Sequence, residues 1–201
     1  MKITSIKQQI KNPERVSIFV DTKYEFSLSL DELIKYKLKN DQEFNPADLK
    51  KFKKISADGK LRARALEWLL NRPHSEREFR DYLYRKNAEP EQINNLVAEF
   101  TLKGYLDDAK FALWYSELLA RRGKSDRAIK AELYGKGISR EIVEEALPGG
   151  EEQELERLKQ MIAKKAKLMR YKNDPQKLAK YLTSQGFSWQ AVKDQLGLKN
   201  F

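Results

Sequence analysis

The sequence predicts a mainly α-helical protein, in which tandem three-helix repeats form a curved, elongated array behind a small N-terminal domain that contains β-strands (α+β). Two observations carry this prediction. A pattern of helix start, apolar positions and helix stop occurs three times, at intervals of fifty and forty-nine residues. The first sixty residues lack that pattern and are instead rich in β-branched residues. Repetition at a fixed period of this length is typical of stacked supersecondary units.

The N-terminal segment predicts three short strands. Ile3 to Gln8 and Val16 to Val20 are rich in β-branched residues, and Tyr24 to Leu30 alternates apolar and polar side chains. That alternation would place Tyr24 on the same face as the other apolar residues of its strand. Asn12-Pro13 and Asp21-Thr22-Lys23 are the expected turns. We therefore expect a three-stranded antiparallel sheet.

Short helices should cover this sheet, because three strands alone are only marginally stable. Asp31 is expected to cap a helix that ends at Leu38, and Asn45-Pro46 to begin another that ends at Ile55. Asp58-Gly59 is typical of a linker. The predicted units are 1–58 for the N-terminal domain and 59–106, 107–148 and 149–201 for the three repeats.

Each repeat contains a pair of helices joined by a tight turn. Their first helix begins behind a side chain that can cap it, namely Ser75, Ser125 or Asp174. Glu78 lies three residues after Ser75, which predicts a capping box. The first helix should stop at residues that tolerate a left-handed conformation, Asn87, Gly137 and Gly186. The second helix starts at Pro90, Ser139 and Ser188.

A longer amphipathic helix precedes each pair, at Leu61–Asn71, Asp107–Arg122 and Glu151–Lys172. Caps, apolar positions and stops coincide in all three copies, which favours repeats over the alternative of three unrelated helix pairs. Trp68 and Trp114 fall on or beside apolar faces and are expected in the cores. For Trp189 two roles are possible, packing in the core or stacking on a base.

Composition excludes several classes of protein. The chain has 201 residues and no cysteine, which excludes disulfides and thiolate metal sites. Its first residues lack the apolar run of a signal peptide. No segment approaches the roughly twenty apolar residues that span a bilayer. The sequence therefore predicts a soluble cytoplasmic protein with no membrane partner.

Positive charge is concentrated at the two ends of the chain. The net charge of +10 divides into +4 for residues 1–60 and +5 for the last repeat, with little excess between them. Locally, basic residues form two candidate contact surfaces, a cluster in the second repeat and a stripe in the third. The cluster is Arg121, Arg122, Lys124, Arg127, Lys130 and Lys136; the stripe is Lys164, Lys167 and Arg170. Both favour a polyanionic partner, such as nucleic acid or a nucleoprotein. The alternative is a set of solvated faces that complement helix dipoles.

No motif predicts catalysis. Gly123-Lys124-Ser125 resembles the end of a phosphate-binding loop, but Leu118 occupies the position where that loop needs its first glycine. His74 is the only histidine, and beside Pro73 it is expected to cap a helix or lie at the surface. We expect no enzyme activity, cofactor or metal ion.

Three runs of residues resemble the RecX family of recombination regulators. They mark the entry to the first repeat, its junction with the second repeat, and the second repeat itself. The runs are Arg72–Glu78 with Leu83, Gly104–Asp108 with Phe111-Ala112, and Arg121–Lys124 with Ile129, Glu132-Leu133 and Lys136–Ile138. The strand-rich opening and residues 44–55 are similar to the N-terminal extension of longer members, so the resemblance covers essentially the whole chain.

The resemblance implies a function in DNA repair, homologous recombination and the SOS response. RecX-like proteins are curved helical arrays that lodge in the groove of the RecA filament on DNA. They are negative regulators that inhibit RecA's ATPase, strand exchange and filament growth, and some bind single-stranded DNA. The implied partner is the RecA nucleoprotein filament, contacted by a monomer through the nine basic residues above. The alternative is a helical repeat protein that binds single- or double-stranded nucleic acid directly.

Overall fold

The structure, a computed structural model, describes residues 1–147 and 149–198. The predicted end of the second repeat at 148, and residues 199–201 of the third, lie outside the described residues. Within them the chain forms three strands followed by eleven helices. The strands are β1 (Ile3–Gln9), β2 (Asn12–Val20) and β3 (Lys23–Ser29); the helices are α1 (Leu30–Lys35), α2 (Pro46–Leu70), α3 (Glu76–Arg85), α4 (Pro90–Leu102), α5 (Asp108–Arg121), α6 (Asp126–Gly135), α7 (Arg140–Glu145), α8 (Glu151–Ala166), α9 (Met169–Lys172), α10 (Pro175–Ser184) and α11 (Trp189–Leu196).

The strands form an antiparallel sheet in the order β1-β2-β3, as predicted. The second hairpin turns through Asp21 and Thr22, whose φ angles of 46° and 70° suit a two-residue hairpin loop. The first predicted turn is wrong by two residues. Asn12-Pro13 opens β2, and the chain turns at Ile10-Lys11 instead.

A bulge in β3 divides the predicted apolar face of that strand. Ile18 of β2 pairs with Phe26, but the next residue, Phe19, pairs with Tyr24, so β3 carries one extra residue. An extra residue shifts the side-chain alternation to the other face. Phe26 is buried, whereas Tyr24 is 50% exposed. The prediction that Tyr24 shares the apolar face is therefore wrong.

Helix α1 is shorter than predicted and begins earlier. Ser29, not Asp31, is the N-cap, and Ser29 and Glu32 form a reciprocal capping box. The helix ends at Lys35 rather than at Leu38. The sheet's buried face and the following helix then enclose a core in which Phe26, Phe44 and Phe52 stack with ring centroids 5.2 to 6.3 Å apart.

Helix α2 is continuous over 25 residues, so the predicted linker at Asp58-Gly59 is wrong. Its start behind Asn45 is as predicted, with a capping box to Asp48. Tertiary contacts explain why the helix does not break. The Gln92 side chain of α4 donates a hydrogen bond to Asp58, and the Glu32 carboxylate of α1 lies where Gly59 has no side chain. The N-terminal domain and the first repeat thus share one helix.

The helices beyond the sheet form three modules, each with its own apolar core. Module 1 is the second half of α2 with α3 and α4, module 2 is α5 to α7, and module 3 is α8 to α11. The predicted N-caps are confirmed: the side chains of Ser75, Ser125 and Asp174 accept hydrogen bonds from the N–H groups of Glu78, Ala128 and Lys177. The predicted left-handed stops are also confirmed, with φ angles of 57° at Asn87, 83° at Gly137 and 101° at Gly186.

Module 3 departs from the predicted pattern in its first helix. The helix expected over 151–172 ends at Ala166, and a short helix, α9, follows from Met169. Leu168 between them has extended backbone. This break turns Tyr171 into the module core, where its ring lies 5.6 Å from that of Tyr181.

The array is elongated. Its accessible surface is 13159 Å², whereas a compact monomer of 23.6 kDa would expose roughly 9,800 Å². The predicted fold class is confirmed as a mainly helical repeat array with a small N-terminal sheet. None of the described helices combines the length and apolar character needed to cross a membrane.

Candidate functional site

The basic cluster of the second repeat lies at the corner between α5 and α6. Helix α5 ends at Arg121, Arg122 caps it, and Gly123 with φ 80° reverses the chain into Lys124. This turn at Gly123 was predicted, and it brings the three cations to one corner. Arg121 and Arg122 are exposed, and Lys124 is half-buried.

Acidic side chains of α8 lie beside two cations of the predicted cluster, Arg121 and Arg127. Arg121 lines a shallow groove together with Glu156, and Arg127 lines a second groove together with Glu151 and Glu154. The acidic N-terminal half of α8 therefore lowers the positive potential at the corner. About thirty residues separate Arg121 and Arg127 from these acidic residues in the sequence, so their proximity could not be predicted from local patterns.

Two residues of the predicted cluster are held in ion pairs. The Nζ atom of Lys130 lies 2.8 Å from both carboxylate oxygens of Glu144. The Nζ atom of Lys136 lies 2.7 Å from Oε1 of Glu78 and 5.9 Å from the ring centroid of Tyr115. The six predicted residues thus do not form one uniform surface. Arg121, Arg122, Lys124 and Arg127 form no ion pair with any other residue that the structure describes.

The basic stripe of the third repeat is open to solvent. Lys164 lies in the last turn of α8, Lys167 caps that helix, and Arg170 belongs to α9. All three are exposed, and within 1–147 and 149–198 none of them forms an ion pair. The Arg170 guanidinium lies 4.7 Å from the ring centroid of Tyr171, which orients it without neutralising its charge.

Glu78 joins modules 1 and 2, a role that the sequence analysis missed. Its carboxylate accepts hydrogen bonds from Arg72 at 3.0 Å and from Lys136 at 2.7 Å, and it lies 3.3 Å from Nδ1 of His74. The side chain of Glu78 is only 16% exposed. The predicted capping box with Ser75 does not form, because the carboxylate is directed to these three partners instead.

The same contacts shift two pKa values. Burial acts to raise the pKa of Glu78, but the hydrogen bonds from Lys136 and Arg72 outweigh it, so that pKa lies below its ordinary value. Burial lowers the pKa of His74, and the positive charge of Arg72 adds to this effect against the opposing influence of Glu78. His74 is buried and stacks on Trp68 at 3.5 Å, so the expected capping or surface role is wrong.

Modules 2 and 3 are joined by a different charged pair. The Arg157 guanidinium of α8 donates a short hydrogen bond to the Asp126 carboxylate, and their side chains are 14% and 17% exposed. The backbone N–H of Asp126 also donates to Oε1 of Glu154 at 3.0 Å. At the equivalent position after Ser75, Glu76 donates its backbone N–H to Asp108 of module 2 in the same way, but its carboxylate pairs with Arg80 of its own module. The repeat could therefore have indicated the backbone contact of Asp126 but not its ion pair.

This arrangement provides fixed cations and an extended surface rather than reactive chemistry. Among the residues that the structure describes, no three histidine, aspartate or glutamate side chains meet as a metal site. The largest carboxylate shift is that of Glu99, whose pKa is lowered to about 2 by the hydrogen bonds from Arg62 and Lys103 inside module 1. The exposed cations can contact phosphates or acidic protein surface.

Comparisons with known proteins then decide the family. A family model of the regulatory protein RecX N-terminal domain matches residues 1–45, and that of the second three-helix domain of RecX matches residues 107–147. The chain is similar to regulatory protein RecX of Bacillus subtilis, with 33% identity over 206 residues, 98% of this chain and 78% of the relative. The chain belongs to the RecX family.

Other members of the family give the same result. Regulatory protein RecX of Listeria welshimeri is 31% identical over 96% of this chain and 74% of its own length. In Listeria monocytogenes serovar 1/2a the identity is 37%, but the match spans 71% of this chain and only 54% of the relative. The matched part of this chain thus spans about half the length of some of its RecX relatives.

Solved structures of the family have the same fold. A crystal structure of regulatory protein RecX aligns with a TM-score of 0.72 at 24% identity, over 98% of this chain and 99% of that one. The crystal structure of RecX from Lactobacillus salivarius aligns with a TM-score of 0.58 at 22% identity, over 70% of this chain and 94% of that one.

Proposed function

We propose that this protein is a negative regulator of RecA, which binds the RecA–DNA filament and inhibits its ATPase, strand exchange and filament growth. Membership of the RecX family is the observation that carries the proposal. The elongated array of modules supports it, because a repeat array presents a long face that can follow several subunits of a filament. We also propose the division into an N-terminal domain and three repeats at the predicted boundaries, a cytoplasmic location and action as a monomer.

We infer that the filament is contacted by the α5–α6 corner and by the stripe. The corner provides Arg121, Arg122, Lys124 and Arg127, and the stripe provides Lys164, Lys167 and Arg170. These residues have no ion-pair partner among the described residues, so their charges are available to an acidic surface or to phosphates. Lys130 and Lys136 instead hold Glu144 and Glu78, and we assign them to the structure of the array.

The test is the rate of ATP hydrolysis by RecA on single-stranded DNA, with and without this protein at equimolar concentration. We expect a slower rate with the native chain. An unchanged rate with the protein in excess would contradict the proposal. Neutralising the corner with Arg121→Gln, Arg122→Gln and Lys124→Gln should weaken the inhibition. Glutamine is preferred to glutamate, because a glutamate at 121 would lie beside Glu156. Repulsion between these two carboxylates could then not be told apart from the loss of a contact with the filament.

The matched control changes the same number of charges elsewhere. Lys35, Lys37 and Lys39 are exposed and lie in and after α1, outside both candidate surfaces. Their triple substitution by glutamine should leave the inhibition unchanged. Equal effects of the two triple variants would show that only the total charge matters, which would contradict the assignment of the corner.

Direct binding of nucleic acid is the second candidate function. The exposed stripe supports it, since Lys164, Lys167 and Arg170 can reach phosphates without breaking an ion pair. Binding to DNA without RecA should then weaken as salt rises, because each phosphate contact releases counterions. Each stripe cation replaced by glutamine should reduce the slope of log affinity against log salt by about 1.

A further inference from the structure

We propose that the solvent-facing side of the N-terminal sheet binds single-stranded nucleic acid, with Phe19 and Tyr24 as the platform on which bases stack. This inference goes beyond the regulation of RecA and does not depend on it. It concerns a surface in the N-terminal domain, far along the sequence from the basic corner and the stripe.

The platform exists because of the bulge in β3. The bulge turns Tyr24 out of the core and places it opposite Phe19, on the face away from the buried side of the sheet. The two rings meet edge to face, with centroids 6.0 Å apart and an interplanar angle of 75°. Tyr24 is 50% exposed and Phe19 is half-buried. The solvent face of an antiparallel sheet is usually polar, so an aromatic pair there needs an explanation.

Two cations contact this aromatic pair, and a third lies on the same face of the sheet. The Lys7 ammonium on β1 lies 5.2 Å from the Phe19 ring centroid. From α2, the Lys60 ammonium lies 3.4 Å from the hydroxyl oxygen of Tyr24. On β2, Arg15 donates to the backbone oxygen of Ser27 at 3.0 Å and lies along the same face. The rings are therefore within reach of positive charge on more than one side.

The carboxylate next to Tyr24 in the sequence is neutralised by an ion pair. Glu25 follows Tyr24 directly, and its carboxylate lies 2.5 Å from the Lys53 ammonium. Around the rings the face carries small hydroxyl side chains: Ser5 pairs with Phe19, and Ser17 pairs with Lys7 and with Ser27, which is buried. Because serine side chains are short, the two rings and the Lys7 side chain extend further from the sheet than their neighbours do.

This combination fits a single strand better than other polyanions. Unpaired bases can stack on aromatic rings irrespective of their sequence, while cations beside the rings contact the phosphates. A duplex keeps its bases inside the helix and could use only the three cations. An apolar peptide would use the rings but would bury Lys7 and Lys60 without a counter-charge, which is costly. Single-stranded DNA or RNA is therefore the ligand that uses both features.

The first experiment measures the affinity of the full chain for a short fluorescent oligothymidylate by anisotropy. Tyr24→Ser should weaken binding about tenfold, as expected for the loss of one base-stacking ring. Phe19→Ser should have a similar effect. Lys7→Gln should weaken binding less and reduce the salt slope by about 1. The matched control is Ile10→Ser, since Ile10 is 99% exposed but lies in the hairpin turn, away from the platform. Its affinity should equal that of the native chain.

The second experiment does not require a variant to fold. The native chain is cross-linked to oligothymidylate by ultraviolet light, and the linked peptides are identified by mass spectrometry. Links at Phe19 or Tyr24 are expected. An abasic oligonucleotide of equal length should also bind about tenfold more weakly, because it keeps the phosphates but lacks the stacking bases.

Two outcomes would overturn the inference. Cross-links confined to modules 2 and 3 would assign strand binding to the basic stripe. The second outcome is that the Tyr24→Ser variant binds oligothymidylate as tightly as the native protein does and prefers it to the abasic strand by the same factor. The rings would then only stabilise the sheet by cross-strand contact. Because neither experiment contains RecA, both outcomes can be distinguished from a failure of the proposed regulation.

Discussion

The interface between modules 1 and 2 and the interface between modules 2 and 3 use equivalent chain positions but different side chains. In the first, the hydroxyl of Ser75 donates to the backbone oxygen of Lys136 at 3.0 Å. In the second, the N–H of Ser125 donates to the backbone oxygen of Gln185 at 3.1 Å. In both cases the start of a module's central helix meets the helix end of the next module. The repeat thus preserves the meeting of helix start and helix end, although a side-chain hydroxyl donates at the first interface and a backbone N–H at the second.

The side chains around this contact differ in kind. The first interface holds a carboxylate, Glu78, between cations of two modules. At the equivalent position of the second interface stands Ala128, and Gly186 packs directly against it. Charge pairing there is moved to Asp126 and Arg157. Neighbouring modules therefore share the geometry of their contact but not the side chains that form it, so one module cannot replace another.

The largest effect is expected at the close-packed contact of the second interface. In Gly186→Ala the new methyl group would overlap the Ser125 hydroxyl and the Ala128 methyl, at a φ of 101° that alanine disfavours. We expect a loss of about 3 kcal/mol in the free energy of unfolding, measured by urea denaturation.

Gly104→Ala is the matched control for this variant. Gly104 has a φ of 72°, but nothing lies within 4 Å of the added methyl group. It should therefore cost only the backbone strain of about 1 kcal/mol. Equal losses in the two variants would mean that Gly186 is required for its conformation alone and that the close approach contributes nothing.

A smaller difference is expected between the charged groups of the two interfaces. Asp126→Asn should cost about 3 kcal/mol, because it breaks an ion pair whose two side chains are only 14% and 17% exposed. Glu78→Gln should cost about half of that, since Arg72 and Lys136 are 39% and 33% exposed and their charges can reach water. Urea denaturation measures both variants.

The control for these two variants is Lys130→Gln, which breaks an ion pair whose partners are 34% and 47% exposed. It should leave the free energy of unfolding close to that of the native chain, because exposed ion pairs contribute little to stability. A loss from Glu78→Gln as small as that from the control would show that Glu78 does not join the modules.

The smallest effect is a titration at the first interface. His74 is the only histidine of the chain, so one imidazole resonance in the proton NMR spectrum reports its pKa directly. We expect a pKa below the ordinary value of 6.5, because burial and Arg72 disfavour the charged form. Glu78→Gln should lower it further, since Glu78 is the main group that favours the charged form of His74.

The sign of the linked stability follows from the direction of that shift. Below pH 6.5 the imidazole is protonated in the unfolded chain but stays neutral in the folded protein. Stability that is present above pH 6.5 is therefore lost as the pH falls through the lower pKa of folded His74. The melting temperature should therefore fall between neutral pH and pH values below 6.5, and His74→Asn should remove that part of the fall. A native pKa at or above 6.5 would contradict the stacked, desolvated environment.

The local features of the fold could be predicted from sequence. The caps Ser75, Ser125 and Asp174 and the stops Asn87 and Gly186 were identified because each depends on residues three or four positions away. The continuity of α2 could not be predicted, because Gly and Asp favour a break unless Glu32 and Gln92 lie against them. The bulge that exposes Tyr24 likewise depends on the register between two strands.

The candidate site was less predictable for the same reason. Glu78 has two competing partners, a backbone N–H three residues away and a lysine fifty-eight residues along the chain, and the distant partner prevails. The basic run around Arg121 gives no information about the acidic half of α8 beside it. Charge patterns in a sequence therefore locate cations but not the groups that neutralise them.

Because helix α2 is unbroken, its length sets the rotational orientation of the sheet relative to module 1. Twenty-five residues span about 37 Å and complete about seven turns. Inserting one residue near its middle would rotate the sheet by about 100° relative to module 1, whereas inserting a whole turn would nearly restore its direction. A natural variant that lengthens this helix by one residue would therefore point its N-terminal domain to another side of the molecule, even with every contact within each core intact.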